Sequence, residues 1–161
     1  MHKDIIEVPQ FKKEKACKGD VLTSGGMGPC ISIVIYNPKS KCAFMMHEPS
    51  WIMDGKLEKK LKDIIKQLGG AENLKAYAAG NSISSDEEEE QQNDTKENRG
   101  YVKEQFLKFF KEEDIWTQWS NDDSISEMTF YTATGECKFT QEKLSERGDN
   151  DDYNDSENYS Y

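Results

Sequence analysis

Cysteine and histidine are the residues of this 161-residue chain that could together carry out acyl-transfer chemistry, and both are scarce. There are two histidines, and His2 lies at the extreme terminus, so histidine-dependent chemistry falls to His47. Of the four cysteines (Cys17, Cys30, Cys42 and Cys137), Cys30 opens the alternating run Cys30 to Tyr36, and His47 closes a second apolar run from Cys42. Asn37-Pro38-Lys39-Ser40-Lys41 between them is turn chemistry, so residues 30–47 are expected to form a β-hairpin. If Tyr36 pairs with Lys41, Cys30 stands opposite His47, with Cβ atoms about 5 Å apart. A slip of one residue would put thiol and imidazole on opposite faces. Cysteine needs such a partner, because an isolated thiol is only slightly ionised at neutral pH. The preceding turn, Ser24-Gly25-Gly26-Met27-Gly28-Pro29, could offer backbone N–H groups to an oxyanion.

The same residues also have plain structural readings. A cysteine that starts a buried strand often serves as a small hydrophobe, and a histidine that ends one often sits hydrogen-bonded at the rim. A metal site of Cys30, Cys42 and His47 would lack a fourth ligand and the tight spacing of structural zinc sites.

The elements that must position this pair follow from the changing hydrophobic period. Residues 20–23 form a short strand before the glycine-rich turn, and residues 30–36 and 42–47 form the hairpin. Leu57, Leu61, Ile64, Ile65 and Leu68 share one helical stripe that ends at Gly69-Gly70. Residues 74–79 are a small-residue strand. Residues 84–98 contain no apolar side chain and are expected to be a solvated acidic loop inserted in the domain. Val102, Phe106, Phe109 and Phe110 return to helical spacing over residues 101–110. Strands are expected at 115–119, 128–132 and 137–140, with a hairpin turn at 133–136. The expectation is one α/β, sheet-rich domain over residues 1–142 with two main helices, followed by a disordered acidic tail at 143–161.

Charge supports that division. The net charge is −10, but residues 86–97 and 142–157 hold fourteen of the 31 acids and only three of the 21 bases, so the rest is near neutral. No basic face is visible for nucleic acid. No apolar run is long enough to span a membrane, and residues 1–10 lack the apolar core of a secretory leader. The irregular cysteine spacing suggests neither a disulfide framework nor a CxxC metal motif, which makes a reducing, cytoplasmic setting the expectation.

Taken together, Ser24-Gly25-Gly26-Met27-Gly28-Pro29-Cys30, the strand to Tyr36, Asn37-Pro38-Lys39 and Met45-Met46-His47 resemble CheD, the bacterial chemoreceptor glutamine deamidase family. In that family a hydroxyl residue precedes the nucleophilic cysteine by six positions and a histidine follows it by seventeen, which here are Ser24, Cys30 and His47. The segment Leu74 to Asn81 is similar to the family's strand and Gly-Gly-Ala-Asn type turn, Asn98-Arg99 to its helix start, and Phe130 to Phe139 to its closing hairpin. Pro29 replaces a usually small residue, Ser24 stands where threonine is typical, and Ser120 to Ser124 replaces a glycine-rich stretch.

The resemblance implies a layered α-β sandwich and a hydrolase that converts a glutamine side chain of a protein target to glutamate, without metal or cofactor. It implies Cys30 as nucleophile, His47 as general base and acid, and Ser24 as acceptor of the other imidazole N–H. The expected partner is a protein substrate, chemoreceptor-like or otherwise, met by a monomer. An asparagine amidohydrolase, a deamidase toxin and a binding module with a vestigial triad share these residues as alternatives.

Overall fold

Alternation along the central strand organises the molecule. The computed structural model describes residues 3–145, so His2 and most of the tail expected at 143–161 lie outside the described residues. Strand β4 (Ile31–Asn37) is buried from Ile31 to Tyr36. Its odd residues Ile31, Ile33 and Ile35 pack with the helices, while Val34 and Tyr36 pack toward a second sheet. A strand covered on both faces must be apolar on both, hence Ile-Ser-Ile-Val-Ile-Tyr.

Strands β2 (Lys12–Cys17), β5 (Cys42–Glu48), β4, β6 (Lys75–Gly80) and β7 (Ile115–Trp119) form a five-stranded sheet in that order. Strands β1 (Ile5–Glu7), β3 (Val21–Met27), β8 (Ser124–Tyr131) and β9 (Glu136–Lys143) form a four-stranded sheet. Leu22, Met27, Met128 and Phe130 of the second sheet meet Val34, Ala43 and Met45 of the first in one core. On the other face of the five-stranded sheet, Leu57, Leu61 and Ile64 of α2 (Leu57–Gln67) and Val102 and Phe106 of α3 (Glu89–Leu107) form the second core with Trp51 of the short α1 (Trp51–Asp54). The chain is thus mixed α/β with two sheets, and α1 joins the two expected helices.

Two strands carry no signal in the hydrophobic pattern: the short β1 pairs with β3, and Lys12–Cys17, although mostly polar, forms β2 because an edge strand needs only backbone pairing with β5 and little burial. Three local expectations require correction. The glycine-rich segment is part of β3, which continues to Met27 through a bulge between Ser24 and Met27, with Gly26 at φ 63°. Residues 89–98 are helix, not loop. They are mostly exposed as expected, but Glu, Gln and Lys favour helix, and the buried Val102 and Phe106 anchor a helix that extends back to Glu89. At the other end β9 runs through Lys143, one residue past the expected domain boundary.

The hairpin register also differs. Tyr36 pairs with Ala43 and Asn37 with Cys42, while Lys41 turns at φ 60°. His47 therefore stands opposite Ser32, not Cys30. A shift of two keeps the parity of side-chain faces, so Cys30 and His47 still share the face between the sheets.

Candidate active site

The Cys30 backbone is fixed from one side by the turn after β6. Asn81 N–H donates to the Cys30 carbonyl at 2.8 Å, Asn81 Nδ2 to the Pro29 carbonyl at 3.2 Å, and Ser82 N–H to the Gly28 carbonyl at 2.7 Å. Three consecutive carbonyls thus point at residues 81 and 82. Asn81 is itself held by Arg99, whose Nε donates to Asn81 Oδ1 at 2.6 Å and Nη2 to its carbonyl at 2.7 Å. Asn81 sits at φ 66°, a conformation Asn accepts more readily than most residues. Gly80 before it must be glycine, because a Cβ there would overlap the Cys30 carbonyl.

In a trans peptide the N–H lies opposite the carbonyl, so holding the Pro29 carbonyl toward Asn81 turns the Cys30 N–H away from it. That N–H lies against the residue's own sulfur and lowers its pKa in part. Burial dominates, helped by the Glu48 charge, and pushes the thiol up to about 12. Cys30 is fully buried and protonated in the resting protein. Pro29 has no N–H, so within Gly28-Pro29-Cys30 an oxyanion could use only the amides of Gly28 and Cys30.

His47 is oriented by main chain. Its Nδ1 meets the Val8 carbonyl at 3.0 Å, so Nδ1 carries the proton and Nε2 the lone pair. Nε2 is buried with no hydrogen-bond partner among the described residues. Burial lowers the imidazole pKa and the Val8 bond partly offsets this, so His47 is neutral at pH 7. The turn that presents Val8 is closed by Phe11 N–H donating to the His47 carbonyl at 2.7 Å. Phe11 adopts φ 71° there with its ring exposed.

Ser24 is buried in the same place, but its hydroxyl donates to the Val8 carbonyl at 3.2 Å and approaches Met45 Sδ at 3.1 Å. The expected bond from the His47 ring to Ser24 is replaced by a carbonyl that both share. No hydrogen bond joins Cys30 to His47 either. The structure places all three residues within the intersheet layer without linking them as a hydrogen-bonded triad.

Sequence reasoning missed Val8, whose contribution is a backbone oxygen and so leaves no residue-type signal. It missed Ser32 through the register; Ser32 is buried opposite His47 and donates to Met27 Sδ at 3.1 Å. It also missed the charged group behind the site, where Lys60 Nζ lies 3.4 Å from Glu48 and 3.3 Å from Asp54, above the Trp51 ring.

The cysteine expectations change too. Cys17 and Cys42, directly opposite in the β2–β5 ladder, form a disulfide, leaving Cys30 and Cys137 free. Cys42 is therefore no metal ligand, which removes the Cys30–Cys42–His47 metal reading. Among the described residues, no three His, Cys, Asp or Glu side chains converge as a metal site. No helix among them is long and apolar enough to cross a membrane.

No protein-family model matches the chain, and no curated protein gives a significant match to it.

Proposed function

We propose that this protein is a cysteine-dependent protein glutamine deamidase of the CheD-like type. The observation that carries the reading is the unpartnered Nε2 of His47, a buried lone pair on the same intersheet face as a free buried thiol. A buried polar atom without a partner costs free energy, about 1–3 kcal/mol, and a site that accepts a proton during turnover gives that cost a purpose.

The thiol is protonated at rest, so its proton leaves as the new bond forms and not before. Cys30 Sγ attacks the carboxamide carbon while Nε2 takes the thiol proton, giving a tetrahedral oxyanion beside the Cys30 amide. The imidazolium returns the proton to the amine, the C–N bond breaks, and ammonia leaves a thioester. Water, deprotonated by His47, cleaves the thioester to the glutamate carboxylate and the free thiol. The Val8 carbonyl, accepting from Nδ1–H, stabilises the transient imidazolium in place of a triad side chain. Because Cys30 is fully buried, substrate entry requires some of the residues that cover it to yield.

A second reading has its own support. The raised thiol pKa and the missing Cys30–His47 bond also suit a protein-binding module whose cysteine and histidine are only core residues. Ammonia release and glutamine-to-glutamate mass gain with the parent and with Cys30→Ala separate the two. Gain with the parent alone supports the deamidase; equal results with both support the module.

A further inference from the structure

A groove runs beside the turn that presents Cys30. It has a volume of about 450 Å³ and lies between Pro29, helix α1 and the N-terminal half of α3, with Ile52, Met53, Glu87, Asp94 and Glu97 among its walls. Two asparagines build it. Asn81 Nδ2 donates both to the Pro29 carbonyl and, at 3.0 Å, to the Thr95 carbonyl, which pins α3 to the Cys30 turn. Asn98 Oδ1 accepts from Ser50 Oγ at 3.2 Å and from Ile52 N–H at 3.1 Å, which pins α1 to α3. The walls are therefore held to the same framework as the candidate nucleophile.

The lining has a definite chemistry. Met53 is 85% exposed and Ile52 41%, on a four-residue helix whose other large apolar side chain, Trp51, is fully buried. No Lys, Arg or His lines the groove; Lys96 lines the adjoining concavity. Among the described residues, Glu87, Asp94 and Glu97 make no ion pair. Three uncompensated carboxylates around an exposed thioether select a cation attached to an apolar stem or neighbour.

We propose that this groove is the substrate-recognition surface, and that its occupant is an extended segment of a protein carrying Lys or Arg together with an aliphatic residue beside the target glutamine. The inference rests on the deamidase reading for its substrate, but the groove is tested by binding alone. The acidic segment expected from composition to be a loop thus acts as a helical wall that chooses the partner by charge.

The probes are two fluorescent twelve-residue peptides with a central Gln between Leu residues, one flanked by Lys and the other by Glu. Anisotropy at low salt is measured with the parent, Cys30→Ala, the triple variant Glu87→Gln/Asp94→Gln/Glu97→Gln, and Met53→Ser. The expected result is that the Lys peptide binds parent and Cys30→Ala alike, and that the triple variant weakens it about tenfold or more, with loss of salt dependence. Met53→Ser should weaken it without changing the salt dependence. The four groove positions changed, Met53, Glu87, Asp94 and Glu97, are exposed, and circular dichroism confirms that these variants and Cys30→Ala fold. Equal binding of the Glu peptide, equal binding by the triple variant, or no binding of the Lys peptide would overturn the groove. The mass of the bound Lys peptide is read separately: binding without mass gain keeps the groove and removes the deamidase, while mass gain unaffected by the triple variant removes the groove and keeps the deamidase.

Discussion

Ser24 and His47 do not bond to each other; they meet on one oxygen, the Val8 carbonyl, at 3.2 and 3.0 Å. The relationship makes Ser24 a competitor for the acceptor that orients the imidazole as well as a filler of the site. Val8 is also fixed by its own N–H, which donates to the Thr23 carbonyl at 2.8 Å. Ser24→Ala should therefore leave the imidazole oriented and cost about 1 kcal/mol of stability for the lost hydrogen bond. Turnover of an identified protein substrate should fall less than about tenfold, whereas His47→Ala should abolish it. Steady-state kinetics of the two variants check both expectations.

The buried imidazole should also show in the pH dependence of stability. Its native pKa lies below the ordinary value of 6.5, mainly because burial disfavours the charged form. Below 6.5 the unfolded chain takes up a proton that the native state refuses, so stability present above that pH is lost as pH falls through the native value. Glu48, raised chiefly by burial, acts in the opposite sense from about 4.5 upward. Subtracting the urea-unfolding free energies of His47→Gln from those of the parent at each pH cancels the Glu48 contribution. The difference should decline from pH 7 toward pH 5, and a flat difference would contradict a buried neutral His47.

The Cys17–Cys42 disulfide closes a separation of 25 residues and ties edge strand β2 to β5, at the far end of the ladder from His47. By chain entropy a loop of that size is worth about 3 kcal/mol. Cys17→Ala/Cys42→Ala should lower Tm by about 10 °C. Hydrogen exchange should rise most along β2, measured by mass spectrometry against the oxidised parent.

Much of the architecture was legible where burial imposes a pattern. The alternation of Ile31, Ile33 and Ile35, the stripe of Leu57, Leu61 and Ile64, and the β8–β9 hairpin all reflect a side of an element that must leave water. Where burial imposes nothing, the pattern is silent. Lys12–Cys17 pairs through its backbone, and its side chains face solvent for most of its length. Residues 89–98 become helical because Val102 and Phe106 anchor the next turns, which composition alone does not register.

The candidate site was legible to a similar extent. Cys30 and His47 reach one face because a register shift of two preserves parity, although the direct pairing expected between them goes to Ser32. What positions the site came from polar groups whose contacts no spacing announces, although the segments that hold Asn81 and Arg99 stood out by resemblance. The Val8 carbonyl, the Asn81 hub and the Arg99 guanidinium each work through one main-chain contact or several, and such contacts leave only a faint trace in residue type.

The central claim is that Cys30 is an acyl-transfer nucleophile. Its most direct test is peptide mass spectrometry of extract proteins incubated with the parent or with Cys30→Ala. The account predicts gains of about 1 Da at specific glutamines, with ammonia release, for the parent and none for Cys30→Ala. Equal gains with both proteins, or none with the parent across the extract, would contradict it.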